Sequence, residues 1–169
     1  MILWTIGHGT RTTEDLAAVL RSAGVTTLID VRRYPLGRRQ AHLACERLAV
    51  DLPRLGIAYE WWGEALGGRR VGFTPERVAS PWRSPGFAAY AAYMVTEASQ
   101  TALAALQARV ETGEVLAIMC AETLSWRCHR RLIADALTLN RFEVRHLLDR
   151  PPGVPHRLSA ATALAMSSS

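Results

Sequence analysis

The stretch IMCAETLSWRCHRRLIADAL, residues 118–137, opens like a buried strand and closes like an amphipathic helix. The run that leads into it, VLAIMC, is short, continuous and apolar, the pattern of a strand covered on both faces. CHRRLIADALTLN then changes period, with its apolar residues returning on one side of a helix. The link between them concentrates Cys120, Glu122, Arg127, Cys128, His129, Arg130 and Arg131. Such a strand–turn–helix unit is the building block of a parallel sheet, and its turn lies at the carboxyl end of the strand, where open α/β sheets bind ligands.

Outward from this unit the same alternation recurs. ILWTIG is an apolar run ending in glycine. In TTEDLAAVLRSAG, Leu16, Val19, Leu20 and Ala23 share one helical face. Thr12 is the expected N-cap, with Asp15 three residues later and Gly24 closing the helix. TTLIDVR reads as a second buried strand, LACERLAVDLPRLG as a helix that Pro53 ends or kinks, and IAYEWW as a third strand. Residues 63–86 carry Gly, Pro and Arg without a period and are expected to form a long loop. From Phe87 to Val110 the chain is expected to be helical with one break, and EVRHLL supplies a last strand. There is no internal repeat. The expectation is a single doubly wound α/β domain over residues 1–150, its mainly parallel sheet covered by helices on both faces. Residues 151–169 read as a Pro-rich link and an Ala/Ser-rich tail.

Composition narrows the function classes. At 169 residues and 49% hydrophobic, the chain is long and apolar enough for a core without disulfides. No apolar run reaches about 18 residues, which predicts no transmembrane helix. MILWTIGHGT lacks a basic n-region, so no signal peptide is expected, and a cytoplasmic protein without membrane contact follows. Three cysteines, Cys45, Cys120 and Cys128, fit no disulfide framework and no paired CxxC of a zinc ribbon, and no metal site is assigned from spacing. Net charge is +5, and all 20 basic residues are arginine. They cluster as Arg32, Arg33, Arg38 and Arg39, as Arg69 and Arg70, and around Arg127–Arg131. Planar guanidinium forks suit phosphate and carboxylate.

A parallel sheet delivers all its strand ends to one edge, which assembles the candidate site without coordinates. The first strand brings Gly7 and His8, the second Asp30 and Arg32, and VLAIMC brings Cys120 and Glu122 ahead of Cys128 and His129. An acid, a base, a thiol and an anion binder thus come together from distant segments. Arg127, Arg130 and Arg131 crowd a helix start, the unfavourable end for cations, so either nearby acids or an external anion should balance them. Cys128, beside these arginines, has the setting of a nucleophile, and equally that of a core residue on a helix. The cysteine-phosphatase loop is excluded, because it needs one residue fewer than the six between Cys120 and Arg127, and Glu122 would repel its phosphate. Tyr34 and the tryptophans of EWW and SPWRSP interleave with arginines as in surfaces that grip nucleic acid.

Together TIGHGT, LIDVRRYPLGRR, ALGGRR, FAAYAAYM and MCAETLSWRCHRRLIADAL followed by VRHLL resemble the family known as domain of unknown function 488, in order from about Ile2 to Leu148. The resemblance implies a set of recurring polar residues: His8, Asp30, Arg32, Arg39, Arg69, Cys120, Glu122, Cys128, His129 and Arg130, with Gly67 and Gly68. Gly9 stands where the family has a small Ser, Gln40-Ala41 where it has NP or HP, and Leu43 where it has Phe. The family carries no assigned reaction, so it adds a fold and a residue set and no substrate.

The resulting expectation is an enzyme, a hydrolase, acting on a nucleotide or nucleic acid. Glu122, Asp30, His8, His129 and Cys128 are the candidate catalytic groups, with Glu122 ahead of Asp30. Arg32, Arg39, Arg69 and Arg130 are the candidate anion binders. Two alternatives stay open: a non-catalytic nucleic-acid or nucleotide binding module, and thiol or metal chemistry at Cys120 and Cys128. Cofactor and oligomeric state are not readable.

Overall fold

A computed structural model describes residues 1–73 and 82–167. Positions 74–81, part of the loop expected over 63–86, lie outside the described residues. Six strands form one sheet in the order β3-β2-β4-β1-β5-β6. These are β1 (Ile2–Gly7), β2 (Thr27–Asp30), β3 (Ala58–Trp61), β4 (Leu116–Cys120), β5 (Glu143–Leu147) and β6 (Val154–Pro155). All pair in parallel except β6, which runs antiparallel to β5. The helices are α1 (Thr13–Ser22), α2 (Cys45–Arg54), α3 (Gly63–Leu66), α4 (Pro85–Met94), α5 (Glu97–Glu111), α6 (Arg130–Leu139) and α7 (Ala160–Ser167). None among the described residues is long and apolar enough to cross a membrane.

The period of two along each strand divides the core into two layers. Ile29, Leu116, Ile118 and Leu3 face the layer filled by α5 and α6, through Leu103, Leu106, Leu132 and Ile133. Leu28, Ala117, Met119, Trp4 and Ile6 face the opposite layer, where α1 and α2 contribute Leu16, Leu20, Leu48 and Leu52. The central strands β2, β4 and β1 are therefore buried on both faces, as their unbroken apolar runs predict, while the edge strands β3 and β6 stay partly exposed.

Local chemistry sets the element ends. Thr12 Oγ1 accepts from Asp15 N at 3.1 Å, the cap expected from sequence. Gly24 follows α1 at φ +71, in the left-handed region. The break expected between Phe87 and Val110 falls at Thr96, whose hydroxyl caps α5 by accepting from Ser99 N. Pro53 sits in the last turn of α2, which ends one residue later at Arg54. The weakly patterned tail proves to be structured: β6 adds to the sheet edge and Ser159 starts α7. Asp135 of α6 accepts from Ser159 N, Ser159 Oγ and Thr162 Oγ1. That carboxylate is a tertiary anchor, which no local period encodes.

The connections from β1 and β4, neighbours at the sheet centre, leave in opposite directions, towards β2 and β5. Their carboxyl ends flank the topological switch point.

Candidate functional site

The switch point is closed over by backbone. His8 N donates to Cys120 O at 2.9 Å and Gly9 N to Ala121 O at 3.0 Å, so β1 and β4 stay paired beyond their last strand residues. The chain then crosses the end of β1. A Cβ on Gly7 would stand 2.0 Å from Glu122 O, so only glycine fits there. Arg130, 1% exposed, reaches back from the start of α6 and donates from Nη2 to that same Glu122 oxygen at 2.8 Å. Its Nε is buried without a partner. The arginine expected to meet an external anion thus braces the loop from beneath.

Two clusters stand on either side of this crossing. In the first, Asp30 is fully buried and bound by Arg32 through Nε at 2.9 Å and Nη2 at 2.5 Å, and by Tyr59 Oη at 2.7 Å. Arg32 Nη2 also donates to Leu43 O, and Nη1 lies 3.1 Å from His8 Nε2. His8 Nδ1 faces Gly9 O at 2.9 Å, which makes Nδ1 the protonated nitrogen and Nε2 the acceptor from Arg32. Burial and then the Arg32 charge hold the His8 imidazole below its ordinary range. Burial opposes the Arg32 charge, but the Asp30 hydrogen bonds and charge outweigh it and raise its pKa. Burial and the Asp30 charge push the Tyr59 phenol up. Asp30, Arg32 and His8 are brought together, largely satisfied by one another.

The second cluster is Cys120, Cys128 and His129. His129 Nε2 donates to Val31 O at 3.1 Å, which directs Nδ1 at both sulfurs, 3.9 Å from Cys120 Sγ and 3.6 Å from Cys128 Sγ. Tyr90 holds the arrangement. Its ring meets the imidazole edge-on at 5.0 Å, and its hydroxyl donates to Leu66 O at 2.7 Å. That bond fixes the chain entering Gly67-Gly68, and a Cβ on Gly68 would stand 2.9 Å from His129 Nδ1. At the start of α6, Arg130 N points at Cys128 Sγ at 3.4 Å. As a hydrogen-bond donor, Cys128 leads the factors that hold the Cys120 thiol well below its usual range; His129 and Arg130 reinforce it and burial opposes. The same bond, with burial, pushes Cys128 up.

Both clusters border a cleft of about 1040 Å³ at the sheet edge. Cys120, Cys128 and His129 line it, and among the described residues so do five arginines (Arg32, Arg33, Arg39, Arg69 and Arg127), of which Arg32 is paired with Asp30, and one carboxylate, Glu122. Glu122 is exposed, with one long contact from Leu124 N at 3.4 Å. Arg39 and Arg69 are exposed on the rim. Arg69 holds φ +55, a conformation that costs a non-glycine residue about 1–2 kcal/mol. Trp126 also lines the cleft and is 54% exposed, a flat apolar surface among the arginines.

Sequence reasoning passed over Tyr59 and Tyr90. Tyr90 reads as core in FAAYAAYM, and its hydroxyl partner, Leu66 O, is backbone that no side-chain pattern reveals. Thiol or metal chemistry at Cys120 and Cys128 was open from the sequence, but no linear spacing singled out His129 as the third group that meets both sulfurs.

A family model described as domain of unknown function DUF488 matches residues 12–137, most of the chain, and the chain belongs to that family. No curated protein and no solved structure matches it.

Proposed function

We propose that this member of the DUF488 family is an enzyme that hydrolyses a phosphate-bearing substrate, a nucleotide or nucleic acid, in the cleft at the carboxyl edge of its sheet. The observation that carries this reading is the composition of the cleft among the described residues: Arg33, Arg39, Arg69 and Arg127, beside the Asp30-paired Arg32, against one carboxylate, above a floor of Cys120, Cys128 and His129. Guanidinium groups around a concave, partly apolar wall recognise phosphate. Arg39 and Arg69 hold the anion from the rim, and Arg130 acts on binding through the Glu122–Thr123 backbone that it braces. Among the candidate acids and bases, Asp30 is closed in by Arg32 and Tyr59, and His8 Nε2 faces Arg32. That leaves Glu122 as the carboxylate able to exchange protons with a bound substrate. Trp126 offers a stacking face for a base.

The test is fluorescence anisotropy with labelled nucleotides and short single-stranded oligonucleotides across a salt series, followed by turnover assays on whatever binds. Binding should weaken with salt, by a log–log slope of about 0.7 for each neutralised phosphate of a single strand. Arg39→Ala and Arg69→Ala should each weaken it. Glu122→Gln should bind normally and lose turnover. Binding without turnover by the wild type would make the cleft a binding module, full turnover in Glu122→Gln would take the acid–base role from Glu122, and no phosphate ligand at low salt would overturn the reading.

A further inference from the structure

Cys120, Cys128 and His129 each offer one donor atom, and the three atoms lie within 4.8 Å of one another. At zinc's usual bond lengths, about 2.3 Å to sulfur and 2.0–2.1 Å to nitrogen, tetrahedral angles set the sulfur and nitrogen donors about 3.6 Å apart. The Nδ1–Sγ separations of 3.6 and 3.9 Å are already at that spacing. We propose that Cys120 Sγ, Cys128 Sγ and His129 Nδ1 bind one divalent transition-metal ion, zinc by donor set, with the fourth position open to the arginine-walled cleft.

Four features beyond the donors fit this assignment. His129 gives its other ring N–H to Val31 O, the outer-shell bond that fixes the tautomer and orientation of a metal-bound histidine. Gly68 and Tyr90 pack against the imidazole and set its rotation. Arg130 N points at Cys128 Sγ, as a donor to a coordinated thiolate would. All three donors border the cleft, so an ion there is reachable by substrate and water. Two thiolates neutralise a divalent charge, which suits a largely buried centre. Softness of the donors selects zinc over magnesium or calcium.

Three protein ligands with one open position mark a catalytic rather than a structural zinc. Glu122 is outside the donor group and follows the first ligand at a spacing of two, as in zinc-dependent base deaminases, whose non-ligand Glu serves as acid and base. The chemistry of this centre rests on the hydrolytic reading above. The metal-bound water gives its proton to Glu122 and its oxygen to the electrophilic atom of the substrate. The bond to the leaving group then breaks, and the leaving group takes the proton back from Glu122.

The full chain, purified in reducing buffer, is analysed for metal by mass spectrometry, then stripped with chelator and titrated with Co²⁺. One metal per chain is expected, with the intense visible bands and thiolate charge transfer of four-coordinate cobalt. Cys120→Ser, Cys128→Ser and His129→Ala should each weaken uptake about tenfold or more. Cys45→Ser and Glu122→Gln should keep one equivalent. Absence of uptake of either metal, or uptake that Cys128→Ser leaves unchanged, overturns the site. If a ligand variant does not fold, the wild-type cobalt spectrum decides: without thiolate charge transfer the proposal fails. A Cys120–Cys128 disulfide after reduction and stripping would equally overturn it. Anisotropy with the phosphate probe on the same samples separates the two readings. Metal bound without phosphate affinity sinks the substrate assignment alone, and phosphate affinity without metal sinks the site alone.

Discussion

Acidification probes a hydrogen-bonded chain that ties the C-terminal segment to the centre of the sheet. Asp135 only accepts, so His156 Nε2 donates to Asp135 Oδ1 at 2.8 Å. His156 Nδ1 lies 2.9 Å from His146 Nε2, and His146 Nδ1 lies 2.7 Å from Thr5 Oγ1. His146 is 8% exposed, and burial disfavours its charged form. Burial first, then the charges of His156 and Arg130, lower its pKa to about 4, against the opposing pull of Asp135. In the unfolded chain a histidine titrates near 6.5. As pH falls the unfolded state therefore takes up this proton first. The stability His146 contributes is complete above about pH 6.5 and is lost as pH approaches about 4. A pKa gap of about 2.5 at 1.36 kcal/mol for each makes that loss about 3 kcal/mol. The Asp135 carboxyl is also lowered, burial opposing its hydrogen bonds from His156, Thr162 and Ser159, and its loss lies at lower pH, below the ordinary Asp range.

Urea unfolding at closely spaced pH values between about 7.5 and 4 measures this, with His146→Asn as the comparison. The wild-type curve should fall more steeply than the variant's by up to about 1.4 kcal/mol per pH unit inside the window. His8, also lowered, adds a slope of the same sign to both proteins and cancels in the difference. Parallel curves for wild type and His146→Asn would refute the reasoning, because the variant lacks the only group whose titration it removes.

The closed Asp30–Arg32 pair predicts that Asp30→Asn costs about 3–5 kcal/mol by leaving a buried guanidinium uncompensated, seen as a large fall in Tm. Tyr59→Phe, which deletes one hydrogen bond to the same carboxylate, should cost about 1–2 kcal/mol in the same assay. Arg69→Gly should raise stability by about 1 kcal/mol, by relieving φ +55, while weakening phosphate-probe binding; Arg69→Ala should weaken binding without the gain. Gly68→Ala should fold with ordinary circular dichroism yet lower cobalt affinity about tenfold, since its Cβ displaces His129 Nδ1.

The parallel strands, the capped α1 and the break near Thr96 were legible because period and capping chemistry are local. The strand-end rule also placed His8, Asp30, Cys120 and Glu122 at one edge without coordinates. What it could not distinguish was direction. Arg130 and Arg39 look alike in a sequence, but one turns under the loop to Glu122 O and the other stands on the rim. Asp30 and Glu122 are both carboxylates just at or past strands, and only the neighbouring strand's Tyr59 and the adjacent Arg32 seal the first. The tail was illegible for the same reason: its order depends on Asp135, far away in the chain, and on the edge of β5.

Arg130 couples the cysteine pair to the backbone that carries Glu122. It is a fully buried guanidinium with no carboxylate partner among the described residues, placed at a helix start where a cation is disfavoured. Its charge adds to the factors that lower Cys120 and opposes those that raise Cys128. The α6 backbone N–H at Cys128 Sγ adds a donor to the same pair. The same guanidinium holds the Glu122 carbonyl and so fixes where the neighbouring carboxylate enters the cleft. Replacing it with methionine removes the charge and the brace together. Arg130→Met should therefore show less thiolate absorbance at neutral pH in the metal-stripped protein and weaker phosphate-probe binding, with the sheet intact. Arg130→Lys restores charge but not the reach of the planar fork, and should recover the thiolate more than the binding. Equal recovery of both would mean that the brace has no role of its own.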